Sequence, residues 1–334
     1  MGKSKKLSRR EQFWSVFLLS VNSLSAKLVD EMVARSESYG VATGTIAGAT
    51  VVDCGVDAAG GLEAGVMMTM ICMGGLGQAH VDFKSFGGLQ LSTLMVYTDH
   101  PAVATLASQF AGWRIKTEDY FAMGSGPARA LAKKPKELLE VTGYTDSGES
   151  AVLVLESGKL PTPSAVLKVA ESCGISPDRL RIVVAPTGSV AGMAQISGRV
   201  VETAVHRITD LGFDPKRIRS GAGYAPIAPP HPDFAEAMGR SNDAILYGGA
   251  VQLFLQAAND EEVSDLARRG VSSNSPQHGK PFKEIFKEAG KDFYKIDPSL
   301  FAPARLVLTN LGTGSTFEAG RVEEDLLRQS FGIT

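Results

Sequence analysis

Three cysteines in 334 residues, at Cys54, Cys72 and Cys173, are too few and too widely spaced for a disulfide framework or a Cys-based zinc site. Their odd number and apolar surroundings fit a reducing, cytoplasmic compartment, and none has the adjacent His or Lys of an activated thiol. The five histidines, His80, His100, His206, His231 and His278, never stand in His-x-x-x-His or His-Glu-x-x-His spacing, which disfavours a metal hydrolase. Neither Gly124-Ser-Gly126 nor Gly312-Thr-Gly314 is completed by the third glycine of the dinucleotide fingerprint, and no P-loop follows a strand. NAD and ATP enzymes lose ground accordingly. A nucleophilic serine in Gly-x-Ser-x-Gly is missing too. Excess charge is also lacking: the formal net charge of −2 recommends neither nucleic acid nor a membrane surface as a partner.

What is present is an ordinary globular composition, 44% hydrophobic, with 36 glycines, long enough for two domains. The basic residues Lys3 to Arg10 and the apolar run Phe13–Leu19 are too short for a membrane span and lack a cleavage site. Residues 1–20 are therefore expected to be a disordered extension. Beyond them, Leu24, Leu28, Val29, Met32 and Val33 have helical spacing ended by Gly40. Strands are expected at Thr50–Cys54, Leu91–Tyr97, Ala151–Glu156, Leu180–Ala185 and Arg305–Thr309. The methionines of Leu62–Leu76 read as core filling. A helix is expected to start near Pro101 with Asp99 as its cap, and another over Pro163–Cys173 opened by Thr162 and closed by Gly174. Gly143–Ser150 reads as a linker. This alternation implies an α/β class with α+β elements. The expected division is a first domain over 21–145 and a second over 146–334, with a discontinuous arrangement left open.

The stretch from Arg181 to Leu211 reads as a buried strand, a Pro/Gly turn and one helix beginning near Ser189. At about 100° per residue, Gln195, Arg199, Glu202 and His206 share an arc of roughly 60°, opposite Met193, Ile196, Val200, Val201, Ala204 and Ile208. Spacing alone makes Arg199 and Glu202 a commonplace solvated pair worth a few tenths of a kcal/mol. Against that, Ala191, Gly192 and Gly198 flank the polar stripe. Helix-interior glycines cost about 1 kcal/mol each relative to alanine, so two of them suggest a close approach to the backbone. Three loops share an apolar run followed by Gly and Ser: Met123-Gly-Ser-Gly, Pro186-Thr-Gly-Ser and Leu311-Gly-Thr-Gly-Ser. Their N–H groups can hold an anion or a polar ring edge, and their joint occurrence points to a shared ligand cleft.

Ala185-Pro-Thr-Gly-Ser-Val-Ala-Gly-Met-Ala-Gln-Ile-Ser-Gly-Arg-Val-Val-Glu-Thr-Ala, Asp119-Tyr-Phe-Ala-Met-Gly-Ser-Gly-Pro-Ala-Arg-Ala and Gly239-Arg-Ser-Asn-Asp-Ala-Ile-Leu-Tyr-Gly-Gly are long, idiosyncratic strings. With them the chain, from about Val21 to about Gly332, resembles the methenyltetrahydromethanopterin cyclohydrolase family. The resemblance implies two α/β domains with the pterin cleft between them, a homotrimer, and reversible hydrolysis of the 5,10-methenyl cation to the 5-formyl compound without metal or nucleotide. It also implies that the family's Arg-x-x-Glu active-site pair falls on Arg199 and Glu202. The N-terminal extension has no counterpart in the resemblance. Candidate catalytic residues are thus Glu202 and Arg199, and candidate substrate contacts are Gln195, Ser189, Ser125, Ser315 and His206. The expected cofactor is none, and the expected partner is a small pterin in one-carbon metabolism, formaldehyde oxidation included. A non-catalytic pterin-binding protein would need no such pair, and a phosphate-dependent transferase using the Gly-Ser loops would require a nucleotide.

Overall fold

A computed structural model describes residues 19–333. The expected extension therefore lies outside the described residues except for Leu19 and Ser20, and both of these are engaged. The Ser20 side chain accepts from the Ser23 N–H at 3.0 Å and so caps helix α1 (Val21–Ala34), while Leu19 C=O accepts from Tyr144 Oη at 2.7 Å. The linker expected around residue 146 is held to that helix: Asp146 Oδ2 accepts from both Asn22 N and Asn22 Nδ2.

Two six-stranded sheets make up the fold. The first has the order β1 (Ala42–Ile46), β2 (Ala49–Asp53), β8 (Leu180–Ala185), β7 (Ala151–Glu156), β6 (Phe121–Ser125), β5 (Trp113–Lys116). The second has the order β12 (Thr316–Gly320), β11 (Arg305–Asn310), β10 (Ala250–Leu255), β9 (Ile218–Pro226), β4 (Leu89–Thr98), β3 (Gly77–Phe86). Neither sheet stays on one side of the expected 145/146 boundary, because β3 and β4 pair into the sheet of β9 to β12, while β7 and β8 sit between β2 and β6. The parallel pair β7–β8 carries the near-continuous apolar runs Ala-Val-Leu-Val-Leu and Ile-Val-Val-Ala. Such runs belong to strands covered on both faces. Leu153, Leu155, Ile182 and Val184 face one core, which helix Pro163–Cys173 covers; Val152, Val154, Val183 and Ala185 face another, which α1 and α2 (Leu62–Cys72) cover. Thr162 and Gly174 cap the helix over 163–173 as its sequence predicts.

Met67, Met68 and Met73 are buried core residues, and α2 serves both sheets: Met68 and Ile71 join the first sheet's core, Val66 and Met73 the second's. Helix α3 (Val190–Ser197) crosses α2 closely. A Cβ on Gly65 would lie 2.5 Å from Ala194 Cβ, so glycine at 65 sets this spacing. Helix α4 (Val200–Asp210) covers the second sheet with Val200, Val201, Ala204 and Ile208. The helix expected from Pro101 is a π-helix, Ala102–Gln109, begun by Pro101 without a side-chain cap, and Asp99 instead accepts from Ser220 Oγ at 2.7 Å.

Helix α5 (Phe234–Gly248) buries Asp243 completely, where its carboxylate accepts from Phe282 N and Ser330 Oγ. Burial pushes its pKa up from 3.8 to about 7, against those two donors. A carboxyl whose folded pKa is raised lends stability that is fully present below pH 3.8 and lost as pH rises through about 7. Asp243→Asn keeps an acceptor for Phe282 and offers a donor to Ser330. Urea denaturation should therefore show wild type losing about 1–2 kcal/mol more than the variant between pH 6 and 8.5. Parallel curves for the two proteins would rule this out.

Candidate functional site

The Ser189 side chain accepts from Gly192 N at 3.0 Å and caps α3, which begins where the sequence predicts a helix start. The single helix expected to run on to Leu211 is instead broken into α3 and α4. At the break Gly198 has ψ −4° and Arg199 ψ 0°, far from the helical value near −42°. Arg199 N reaches back to Ile196 O, and Gly198 C=O, freed from the helical ladder, accepts from Gln109 Nε2 at 2.9 Å. The two glycines of this region face protein. A Cβ on Gly198 would stand 2.5 Å from the Thr69 side chain, and one on Gly192 would stand 2.0 Å from Pro186 O. Their close approaches come from α2 and from the preceding turn, so helix packing accounts for both glycines.

Arg199 sits at the break, and its side chain engages the π-helix end, Ser125 and Gln195 rather than Glu202. Its Nη1 donates to Gln109 O at 2.7 Å, and its Nη2 to Ser125 Oγ at 2.9 Å and Gln195 Oε1 at 3.0 Å. The expected Arg199–Glu202 ion pair is not formed: among the described residues no salt bridge or hydrogen bond engages the Glu202 carboxylate. Arg199 acts on it at longer range. Glu202 is 7% exposed, in the first turn of α4, where the helix dipole favours negative charge. Burial nevertheless pushes its carboxyl above the usual range, with His206, Arg199 and Arg129 pulling it down and Asp210 pushing it up. The result is a carboxyl, poised by burial, beside buried cations.

Of the other expected residues, Ser125 at the end of β6 and Gln195 on α3 meet at Arg199, joining the two sheets at this point. Cys72 approaches Ser125 Oγ at 3.5 Å, and burial pushes its thiol pKa up, outweighing Arg199 and Ser125. His206 lies one turn beyond Glu202, stacked on Phe110 with centroids 4.8 Å apart and 3.4 Å from Asp210. These half-buried rings form the solvent-facing edge of the site. Ser189 stays a helix cap, its hydroxyl donating to Pro186 O. Ser315 is held elsewhere, its hydroxyl on Asp260 Oδ2 at 2.7 Å in the loop between β11 and β12. The three hydroxyls thus have separate partners within the protein, Ser125 on Arg199, Ser189 on Pro186 and Ser315 on Asp260. One N–H of each loop is in use: Gly126 N donates to Ser108 O, Ser189 N to Pro186 O and Gly312 N to Asn310 Oδ1. Surface cavities of about 440 and 350 Å³, lined by Leu24, Glu31 and Met67 and by His231, Arg240 and Lys283, lie away from this cluster. Chemistry singles it out where volume does not.

Arg129 and Gln109 escape sequence reading. Both are wholly buried, and Arg129 donates to Leu106 O and Ser108 O. Its one sequence signal is a lone cation inside the apolar run Pro-Ala-Arg-Ala-Leu. Gln109 has none, since its role depends on where a helix ends.

The family model described as Cyclohydrolase (MCH) matches residues 20–331. Methenyltetrahydromethanopterin cyclohydrolase of Methanococcoides burtonii is 44% identical over 317 residues, covering 95% of this chain and 99% of that protein. The proteins of that name from Methanothermobacter marburgensis and Methanocella arvoryzae are 44% and 45% identical over 322 and 318 residues, each across 95% of this chain and 100% and 99% of the relative.

Proposed function

The chain belongs to the methenyltetrahydromethanopterin cyclohydrolase family, and from that premise we propose that it hydrolyses 5,10-methenyltetrahydromethanopterin reversibly to the 5-formyl compound, with Glu202 as the base. The observation that carries the base assignment is a buried carboxyl free of hydrogen bonds and ion pairs among the described residues, within the field of Arg199.

The methenyl carbon lies between two nitrogens and carries their shared positive charge, so it needs a placed water and a base rather than a covalent nucleophile. Glu202 takes one proton as the water oxygen bonds to that carbon. Cleavage of the bond to N10 follows, with the proton on Glu202 passing to N10 and the remaining hydroxyl proton leaving as the formyl C=O forms. One proton is released overall. A raised carboxyl pKa suits this exchange, because a base works best when its pKa lies near the operating pH. A carboxylate facing a cationic substrate is also stabilised in its charged form. Gln195 and Ser125 orient Arg199, and His206 with Phe110 offers a flat edge for a ring. Ser189 and Ser315 are weaker candidates for substrate contact, since their hydroxyls are already bonded within the protein.

The family resemblance further supports a homotrimer, a cleft between two domains and a reaction without metal or nucleotide in one-carbon metabolism, formaldehyde oxidation included. Three buried free cysteines support a cytoplasmic setting. Among the described residues no helix is long and apolar enough to cross a membrane.

Purified protein, treated with a chelator and given no nucleotide, is expected to abolish the methenyl absorbance of the substrate catalytically. Stoichiometric binding with the absorbance preserved would reject catalysis in favour of a pterin-binding protein. A strict need for added nucleotide would reject the mechanism.

A further inference from the structure

We propose that Arg129 is a positioning residue for this reaction, holding the end of the π-helix that in turn places Arg199 and the Phe110–His206 edge. The proposal rests on the reading of Glu202 and Arg199 above.

A helix leaves its last carbonyls without partners. In the π-helix Ala102–Gln109, where Phe110 N reaches Thr105 O five residues back, two guanidinium groups from elsewhere in the chain meet that end. Arg129 Nη1 donates to Leu106 O at 3.2 Å and Ser108 O at 2.8 Å, and Nη2 also donates to Leu106 O. Arg199 Nη1 takes the next carbonyl, Gln109 O. Arg199 thus lies where the helix end puts it, and Arg129 sets that end. The Gln109 side chain adds a second tie to the same frame through Gly198 O at the helix break.

Arg129 also reaches the solvent edge. Its guanidinium lies 5.4 Å from the Phe110 ring centroid, and the same ring stacks on His206. A neutral side chain could bond to carbonyls at far lower desolvation cost than a cation that has no carboxylate hydrogen-bonded to it among the described residues. The charge therefore calls for a reason beyond capping. Glu202 supplies one, since the charged and titratable groups acting on it are His206, Arg199 and Asp210 from its own helix and its N-terminal junction, and Arg129 from the segment after β6. Burial draws the Arg129 pKa down to about 9, opposed by Glu202. At neutral pH the guanidinium therefore keeps its charge.

Steady-state kinetics and the pH profile of kcat/KM should be measured for wild type, Arg129→Lys, Arg129→Gln and Phe110→Leu, with folding followed by circular dichroism. Lysine keeps the charge but cannot span both carbonyls from a rigid fork. Arg129→Lys is expected to lower kcat about tenfold with KM within about twofold, leaving the acid limb in place, as a loss of placement without loss of binding should. Arg129→Gln removes a cation that holds the Glu202 carboxyl down. Its acid limb should move up by about half to one pH unit, with a deeper loss of kcat. Phe110→Leu should lower kcat with no shift of the limb. If folded Arg129→Lys and Arg129→Gln both match wild type in kcat and pH profile, or lose only thermal stability, the proposal is overturned while the role of Glu202 stands. If Arg129→Gln does not fold, unchanged kcat in Arg129→Lys overturns it alone. An inactive wild type would overturn the functional reading and this proposal together.

Discussion

Glu202→Gln is expected to lower kcat by roughly 10²- to 10⁴-fold, the range for loss of a positioned general base, corresponding to about 3–5 kcal/mol of transition-state free energy. The pterin should still bind, since the amide keeps the shape of a side chain that has no hydrogen-bond partner among the described residues to lose. Stability moves the other way. Burial raises the folded pKa of Glu202, so its contribution is fully present below the ordinary carboxylate range and lost as pH rises through the raised folded value. The Gln variant escapes that penalty, and its melting temperature at neutral pH should equal or exceed that of wild type. Lost turnover with retained binding and undiminished stability would separate catalysis from folding damage. Near-normal turnover would remove Glu202 from the mechanism, and an intact acid limb in a residually active variant would assign that limb to another group.

Changing Arg199 should cost both activity and stability. Its guanidinium satisfies Gln109 O, Ser125 Oγ and Gln195 Oε1 in a site only 9% exposed. Arg199→Met leaves these acceptors unmatched, and at about 1–3 kcal/mol for each buried polar group stranded, a loss of several kcal/mol is expected in urea denaturation. Arg199→Lys should be milder in stability yet lower kcat by about 10²-fold, because a single ammonium cannot occupy the positions of both Nη atoms. In a folded Arg199→Met protein the acid limb should shift to higher pH, since a cation that lowers the Glu202 pKa is gone. Wild-type kinetics for Arg199→Lys would show that the paired geometry carries no catalytic weight.

These effects would be hard to foresee from the polar stripe alone. Helical spacing places Arg199 over Glu202, but that projection assumes an unbroken helix. Gly198 permits the break, Thr69 fills the space beside it, and the Gln109 side chain takes the freed carbonyl. The last two causes are tertiary, with Gln109 lying 89 residues from the break in sequence and Thr69 farther still. Arg129 went unread for a related reason. A guanidinium that caps carbonyls needs a helix end to cap, and where the π-helix ends is decided by packing against α2, α4 and the segment after β6.

Local information settled other elements completely. The apolar runs of β7 and β8, the Thr162 and Gly174 signals around 163–173 and the Ser189 cap depend on neighbours within a few residues, and each element stands where its residues place it. The long strings around Gly124, Gly188 and Gly239 also sufficed for the family. Strand pairing lies beyond such information: β4, carrying its neighbour β3, joins β9 more than a hundred residues later, and Ser125 and Ser315 of two loops that look alike in sequence find different partners. The sequence by itself determined the chemical groups available, several of the helices and strands and the kinship. Tertiary structure alone decided that Glu202 stands without an ion pair among the described residues and that Arg199 turns to a helix end, because burial and hydrogen-bond partners are properties of the packed chain rather than of spacing along it.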